Sequence, residues 1–373
     1  MSTPPANARH NLLGLEQPAL AEFVLGLGNK PFRARQLMQW LYKRGEGSFE
    51  AMTDLAKDFR AQLAEHAEIS TPQIVKEQRS ADGTRKWLLK ADEAQAFEMV
   101  FIPEEDRGTL CISSQVGCAL DCSFCSTGSQ GFNRNLSTAE IVGQVWLAKR
   151  ELGEFAPVAP ERAVTNVVLM GMGEPLANFR NVVPALRILT DDLGFDLSRR
   201  RVTLYTSGLV PQIYKLAEEV NCALAVSLHA PNDELRSQLV PINRKHNIAE
   251  LLEASWHYLD EQNGRSVTFE YVMLDGINDQ PEHARELAKL LRDKPAKLNL
   301  IPFNPYPGTP YRRSPQAAIE KFRDELMQRG LIVTIRKTRG DDIDAACGQL
   351  AGQVTDRTIV RLGSKTFGLQ VRA

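Results

Sequence analysis

The sequence predicts an α/β protein: a partial (β/α)6 barrel with a small N-terminal helical domain and a connecting β-hairpin. Three observations lead there. From residue 109 onward, short apolar and β-branched runs alternate with segments of helical periodicity, the pattern of parallel strands joined by crossover helices. Before residue 70 the periodicity is helical, with no strand-like run. Between them, residues 72–101 alternate in strand fashion around an Asp82-Gly83 turn, as a hairpin does. The boundaries read as a helical domain at 1–70, a hairpin connector at 71–108, a barrel ending in a loop at 109–350, and an extension at 351–373.

In the N-terminal domain, Leu37, Trp40 and Leu41 share one helical face. Lys30, Arg33, Arg35, Lys43 and Arg44 fill the other, a face suited either to solvent or to RNA. A second helix is expected to start near Ser48 or Asp54. Strand-like runs follow at 110–114, 163–170, 202–206, 223–228, 267–273, 298–302 and 332–335. Helical runs lie at 178–190, 210–220, 248–262, 281–292 and 315–329, and Ser137-Thr138-Ala139-Glu140 is a capping box that opens the first barrel helix. In such barrels the chemistry sits on loops after the strands' C-terminal ends.

Composition sets the outer limits. The chain has 373 residues, 43% of them hydrophobic, enough for a sizeable core. With 45 basic and 46 acidic residues the formal charge is −1, so no global field drives it onto nucleic acid or anionic membrane. Local clusters remain able to bind phosphate: Arg199-Arg200-Arg201, Arg244-Lys245, Arg312-Arg313, and Arg336-Lys337 with Arg339. Residues 1–10 carry no signal-peptide pattern, and no apolar run is long enough to span a bilayer, so a cytoplasmic protein without membrane association is expected.

Of six cysteines, Cys111, Cys118, Cys122 and Cys125 fall together, while Cys222 and Cys347 stand alone. A chain this long and cysteine-poor is no disulfide scaffold. Cys118, Cys122 and Cys125 sit in the loop after the first barrel strand, and chance placement at these offsets has a probability of about 0.002. Structural zinc wants four ligands; no histidine is near, although Cys111 is available as a fourth. Three thiolates also suit a four-iron cluster with one iron left open. Each later strand ends on polar or glycine-rich residues: Gly171-Met172-Gly173-Glu174-Pro175, Tyr205-Thr206-Ser207-Gly208, Ser227-Leu228-His229 and Asn304. Cys347 lies among Ala, Gly and acidic residues, an accessible setting for a reactive thiol.

The Cys118-xxx-Cys122-xx-Cys125 spacing, with Phe124 before the last cysteine, resembles the signature of the radical S-adenosylmethionine superfamily. A narrower likeness follows from residues 109–118, 122–128 and 131–136, from Gly171-Met172-Gly173-Glu174-Pro175, from Arg336-Lys337-Thr338-Arg339-Gly340 and from Cys347-Gly348-Gln349-Leu350. Together they resemble the RlmN family over nearly the whole chain. The resemblance implies methylation of carbon 2 of adenosine 2503 in 23S rRNA and of adenosine 37 in a subset of tRNAs. It implies one 4Fe–4S cluster on Cys118, Cys122 and Cys125 with an exchangeable S-adenosylmethionine, two of which are used per turnover. Gly173, Glu174, Tyr205, Ser227, Leu228, His229 and Asn304 are the implied cofactor contacts. Many family members have serine where this chain has Tyr205.

The implied chemistry runs through the two other cysteines. Cys347 is methylated first, a radical then removes hydrogen from that methyl group, and the carbon adds to the base. Cys111 resolves the adduct through a transient disulfide with Cys347, and Glu98 accepts the proton. An electron donor such as flavodoxin and a monomeric state are also expected. The rival readings are a Cfr-type enzyme acting on carbon 8, a radical activase, and a zinc-binding RNA adaptor.

Overall fold

The computed structural model describes residues 9–156, 162–362 and 370–371. A ten-stranded sheet organises them, its strands neighbouring one another in chain order. They are β1 (Gln73–Arg79), β2 (Arg85–Lys90), β3 (Ala96–Pro103), β4 (Gly108–Cys111), β5 (Asn166–Leu169), β6 (Val202–Thr206), β7 (Ala223–Ser227), β8 (Val267–Met273), β9 (Ala296–Pro302) and β10 (Ile332–Ile335). Pairing from β1 to β4 is antiparallel. From β4 to β10 every pairing is parallel. Among the described residues neither edge strand pairs further, so the barrel stays open along one side.

Six helices return the chain between those seven parallel strands: α5 (Thr138–Glu151), α6 (Phe179–Thr190), α7 (Val210–Glu219), α9 (Ile248–Glu261), α10 (Pro281–Leu290) and α11 (Gln316–Met327). The short α4 (Ser126–Ser129) and α8 (Asp233–Leu239) sit in the loops at the strand ends. The expected partial (β/α)6 barrel is therefore present. The capping box is too: Ser137 Oγ accepts the Glu140 N–H, and the Glu140 carboxylate accepts the Ser137 N–H. Helix α5 is buried nearly all round, from Thr138 to Lys149, because it lies between the sheet and the N-terminal helices. Trp146 Nε1 donates to the Leu41 carbonyl at 2.9 Å across that second contact.

The N-terminal domain holds α1 (Gln17–Gly26), α2 (Phe32–Met38), a π-helical turn at Gln39–Lys43 and α3 (Lys57–His66). Two details depart from the sequence reading. The helix expected near Ser48 or Asp54 starts at Lys57, after a 3-10 turn at Phe49–Ala51. His10–Asn11 pairs in parallel with Ala67–Glu68, a two-residue strand too short to leave a periodic signal. Of the basic face, Lys43 pairs with Asp196 at 3.7 Å, Arg44 stacks on Trp40 at 3.9 Å and Arg33 donates to Gln36 at 2.7 Å. Lys30 and Arg35 are exposed.

The connector also differs in shape. It contains the expected hairpin β1–β2, but a third strand, β3, joins it directly to β4 and prolongs the barrel sheet. The strand expected at 110–114 closes at Cys111; Ile112 still bonds Val168 O and Gly171 N, and beyond it the buried Gln144 side chain accepts the Ser113 N–H at 2.8 Å and donates to the Ser113 carbonyl at 2.9 Å. Residues Gln115–Gly117 then pair antiparallel with Phe132–Asn135 and bracket the cysteine loop. No helix among the described residues is long and apolar enough to cross a membrane.

The turn into β4 tests this packing. A Cβ at Gly108 would sit 1.8 Å from the Ala163 carbonyl oxygen and 2.7 Å from Phe101 Cε2. Gly108→Ala is expected to lower stability by about 1–3 kcal/mol, the usual penalty of overpacking, measured by urea unfolding.

Candidate functional site

The parallel strands deliver their loops to one side of the sheet, and two adjoining cavities open there. The first is partly enclosed and open to solvent on one side. Cys118, Cys122 and Cys125 line it together with Phe124, Gly173, Tyr205 and His229. The second lies along the open side of the barrel and is lined by Cys111, Asn304 and the basic Arg107, Lys337 and Arg339, among others. Met170, Glu270, Ile301, Arg336, Cys347 and Leu350 line both cavities. Cys347 therefore stands in the wall between the three-cysteine chamber and the chamber that holds Cys111.

The cysteine loop is held by backbone contacts. Cys118 N–H donates to Gly131 O at 2.7 Å, Cys125 N–H to Cys122 O at 3.1 Å, and Leu120 N–H to Cys118 Sγ at 3.4 Å. The buried Gln115 Oε1 accepts from both Ala119 N at 3.2 Å and Glu174 N at 2.9 Å, tying this loop to the one after β5. Burial raises all three thiol pKa values, that of Cys122 to about 12, and each is raised further by a neighbouring thiolate. Three soft donors with depressed ionisation and glycine-lined surroundings fit a metal cluster, whose charge reverses that penalty on binding.

The loops after β5, β6 and β7 form a second set of contacts. Gly173 lines the first cavity, whereas Glu174 does not. The Glu174 carboxylate is buried and accepts from Thr206 Oγ1 at 2.9 Å, Ser207 N at 2.8 Å and Leu176 N at 3.0 Å. Burial lifts its pKa to about 7 against these donors. Tyr205 projects into the first cavity, and its hydroxyl meets Ser227 Oγ and, at 3.5 Å, His229 Nε2. The Tyr205 phenol covers Ser227, which like Leu228 lines neither cavity. His229 Nδ1 accepts the Val272 N–H at 3.0 Å, which leaves the ring proton on Nε2. Burial lowers the His229 pKa to about 3, with Arg236 adding to the effect, so the ring is neutral.

Cys347 is positioned by neighbours from distant parts of the chain. Asn304 Nδ2 donates to its carbonyl at 3.3 Å. Ser126 N–H donates to Gly348 O at 2.9 Å and Thr127 Oγ1 to Leu350 O at 2.8 Å, binding its loop to the cysteine loop. Cys111 is buried, and burial with the nearby Cys347 thiolate raises its pKa to about 12. The Arg336 guanidinium is held charged chiefly by Cys347, then by Glu270 and Cys111. Glu98 lines neither cavity; it lies behind the Cys347 loop, where its Oε2 accepts the Ala351 N–H at 2.9 Å.

Three supporting residues carry no motif signal. Arg236 is fully buried and donates to Leu228 O at 3.1 Å, Asn243 Oδ1 at 2.8 Å, Ser207 O at 2.8 Å and Ser227 O at 2.7 Å. Asn278 donates to His229 O at 2.9 Å and Val272 O at 2.6 Å. Glu270 accepts from Asn299 Nδ2 at 2.8 Å, and its carbonyl accepts the Leu228 and His229 N–H groups. Glu270 and Asn299 sit two strands into the barrel on alternating positions, so only their inward direction on β8 and β9 marks them.

The chain is similar to known proteins over most of its length. Residues 10–69 match the family model of the ribosomal RNA large subunit methyltransferase N-terminal domain, and residues 112–288 match the radical SAM superfamily. A radical SAM methyltransferase from Sphaerobacter thermophilus is 45% identical, with a TM-score of 0.85, over 91% of this chain and 99% of that one. More distant are SuiB of Streptococcus suis bound to S-adenosylmethionine, 12% identical over 89% of this chain and 71% of that one with a TM-score of 0.46, and a domain of pyruvate-formate lyase-activating enzyme from Bacteroides vulgatus, 16% identical over 46% and 99% with a TM-score of 0.35.

Arg236 provides the test of the site's frame. A lysine ammonium cannot reach four acceptors on three loops. Arg236→Lys is expected to cost about 2–3 kcal/mol through carbonyls left unpaired, read as a fall in the thermal unfolding midpoint.

Proposed function

The chain belongs to the RlmN family of radical S-adenosylmethionine methyltransferases, and we propose that it methylates carbon 2 of adenosine 2503 in 23S rRNA and of adenosine 37 in a subset of tRNAs. The observation that carries this reading is the position of Cys347, in the wall shared by the three-cysteine chamber and the chamber containing Cys111. A thiol so placed can be reached from one side by a methyl donor and from the other by a base. An enzyme that used its radical directly on substrate would need no such residue.

Cys118, Cys122 and Cys125 would hold the cluster. Bound together with S-adenosylmethionine, it supplies a carbon-centred radical. The chain's own residues do the rest. Gly173 leaves room at the chamber wall for the cofactor, and neutral His229 presents its Nε2 proton toward it. Cys347 is the methyl acceptor and carrier, and Arg336 lines the same wall between the two chambers. Cys111, its pKa raised by burial, keeps its proton and so survives as a thiol until it is needed to displace the product from Cys347. Glu98 is the proton acceptor: burial raises its pKa, which strengthens it as a base, against the opposing pull of Lys86 and the Ala351 N–H. Carbon 2 of an unstacked adenine fits the second chamber, whose basic rim suits RNA phosphates. An electron donor such as flavodoxin, a monomeric state and a cytoplasmic setting belong to the same reading.

Two outcomes test it. Anaerobic reconstitution with iron, sulfide, S-adenosylmethionine, a reductant and an RNA fragment should yield 2-methyladenosine in the digested nucleosides; 8-methyladenosine would assign the Cfr-type reaction instead. Cys347→Ala should abolish the product, whereas Cys111→Ala should leave RNA covalently attached through Cys347, visible as a shifted band that reductant does not release.

A further inference from the structure

The loop that carries Cys347 has one 3-10 turn, Asp341–Ile343, and no other helix or strand before the isolated bridge at Gln353. Its shape is imposed from outside, largely by the antiparallel strands β1–β3. At its start, Ser80 Oγ donates to Asp342 at 2.5 Å and Gly340 N–H to Asp82 Oδ2 at 3.1 Å. At its end, Ala96 and Gln353 exchange backbone hydrogen bonds of 2.9 and 3.0 Å. Between these lies Lys86 on β2, only 6% exposed. Its ammonium pairs with Glu98 Oε1 at 3.2 Å and donates to the Asp344 carbonyl at 3.1 Å, three residues before Cys347. A lysine is rarely buried without a specific partner, and this one has one partner in the loop and one on β3.

We propose that Lys86 is a positioning residue that couples the Glu98 carboxylate to the backbone segment presenting Cys347. The inference rests on the reading of Glu98 as proton acceptor and Cys347 as methyl carrier. One ammonium then sets two things together: how far Glu98 is ionised and where the Cys347 loop lies. The groups acting on the Glu98 carboxyl are Lys86 and the Ala351 N–H, which favour its charged form, and burial and the Asp344 carboxylate, which oppose it. The neutral Ser113 hydroxyl donates to the Glu98 backbone carbonyl at 2.6 Å. Loss of Lys86 raises the carboxyl's proton affinity, so activity that needs the carboxylate appears only at higher pH.

The test uses the full chain with its cluster. In Lys86→Met, the ascending limb of the pH–rate profile for RNA methylation should move to higher pH. Backbone hydrogen exchange over residues 340–353 should quicken about tenfold, as one lost charge-assisted hydrogen bond allows. Lys86→Arg should keep both near the wild-type values. A Lys86→Met limb at the wild-type pH, or unchanged exchange in the loop, overturns the proposal. Should Lys86→Met not fold, the charge-free double variant Lys86→Met/Glu98→Gln replaces it, and loop exchange equal to that of Glu98→Gln alone is the overturning result. Glu98→Gln also separates the two readings: full methylation by that variant refutes the role of Glu98 as base, whatever the exchange data say of Lys86.

Discussion

Buried backbone groups at the C-terminal ends of the parallel strands must find hydrogen-bond partners, and the architecture of this site follows from how they do so. Beyond the last ladder pairs there is no regular structure to satisfy them. Side chains take over. Arg236 gathers the carbonyls of Ser207, Ser227 and Leu228. Asn278 takes those of His229 and Val272, and Asn178 those of Ser114 and Leu136. Gln115 and Glu174 accept the N–H groups that remain between the cysteine loop and the β5 and β6 loops. Each polar side chain binds two loops, so the strand ends form one frame and the cavity they surround keeps its shape.

That frame explains the charge pattern. Arg236 makes no direct ion pair among the described residues; its hydrogen bonds go to carbonyl dipoles and Asn243, while Asp233 and Cys122 act on it at longer range. A buried cation that acts on Cys122 is well placed where a thiolate is to be stabilised. On the opposite wall Arg336 faces Glu270, Cys347 and Cys111. Both chambers are thus bordered by fixed positive charge, while the net charge of the chain is only −1.

The opening of the barrel is equally consequential. A closed barrel fills its interior with side chains. Here β10 is an edge, and the space beside it stays open, lined by the polar Asn166, Thr268, Glu270, Asn299 and Thr334 as well as by aliphatic Val100, Ile102, Val168 and Ile332. The prolongation of the sheet through β3, β2 and β1 on the other side gives the Cys347 loop a surface to lie on. Strands near residue 90 and a loop near residue 345 are therefore parts of one site, with Lys86 and Glu98 between them.

Much of this was legible in the chain itself. Alternating periodicity determined the barrel and its order, because a parallel strand and its crossover helix are local patterns of 2.0 and 3.6 residues. The cysteine spacing and the motifs after each strand pointed to the candidate site residues, because those residues are close in sequence or fall at equivalent points of repeated units. Tertiary structure alone decided the rest. Nothing in the sequence near Arg236, Asn278 or Glu270 sets them apart from ordinary polar residues, since their value lies in carbonyls and cavities brought to them by other strands. Nor does the sequence show that Tyr205 covers Ser227, that Asn304 holds the Cys347 carbonyl, or that Glu98 lies behind the Cys347 loop. These contacts join residues tens to hundreds of positions apart, and hydrogen bonds of that range exist only once the sheet has closed the distance.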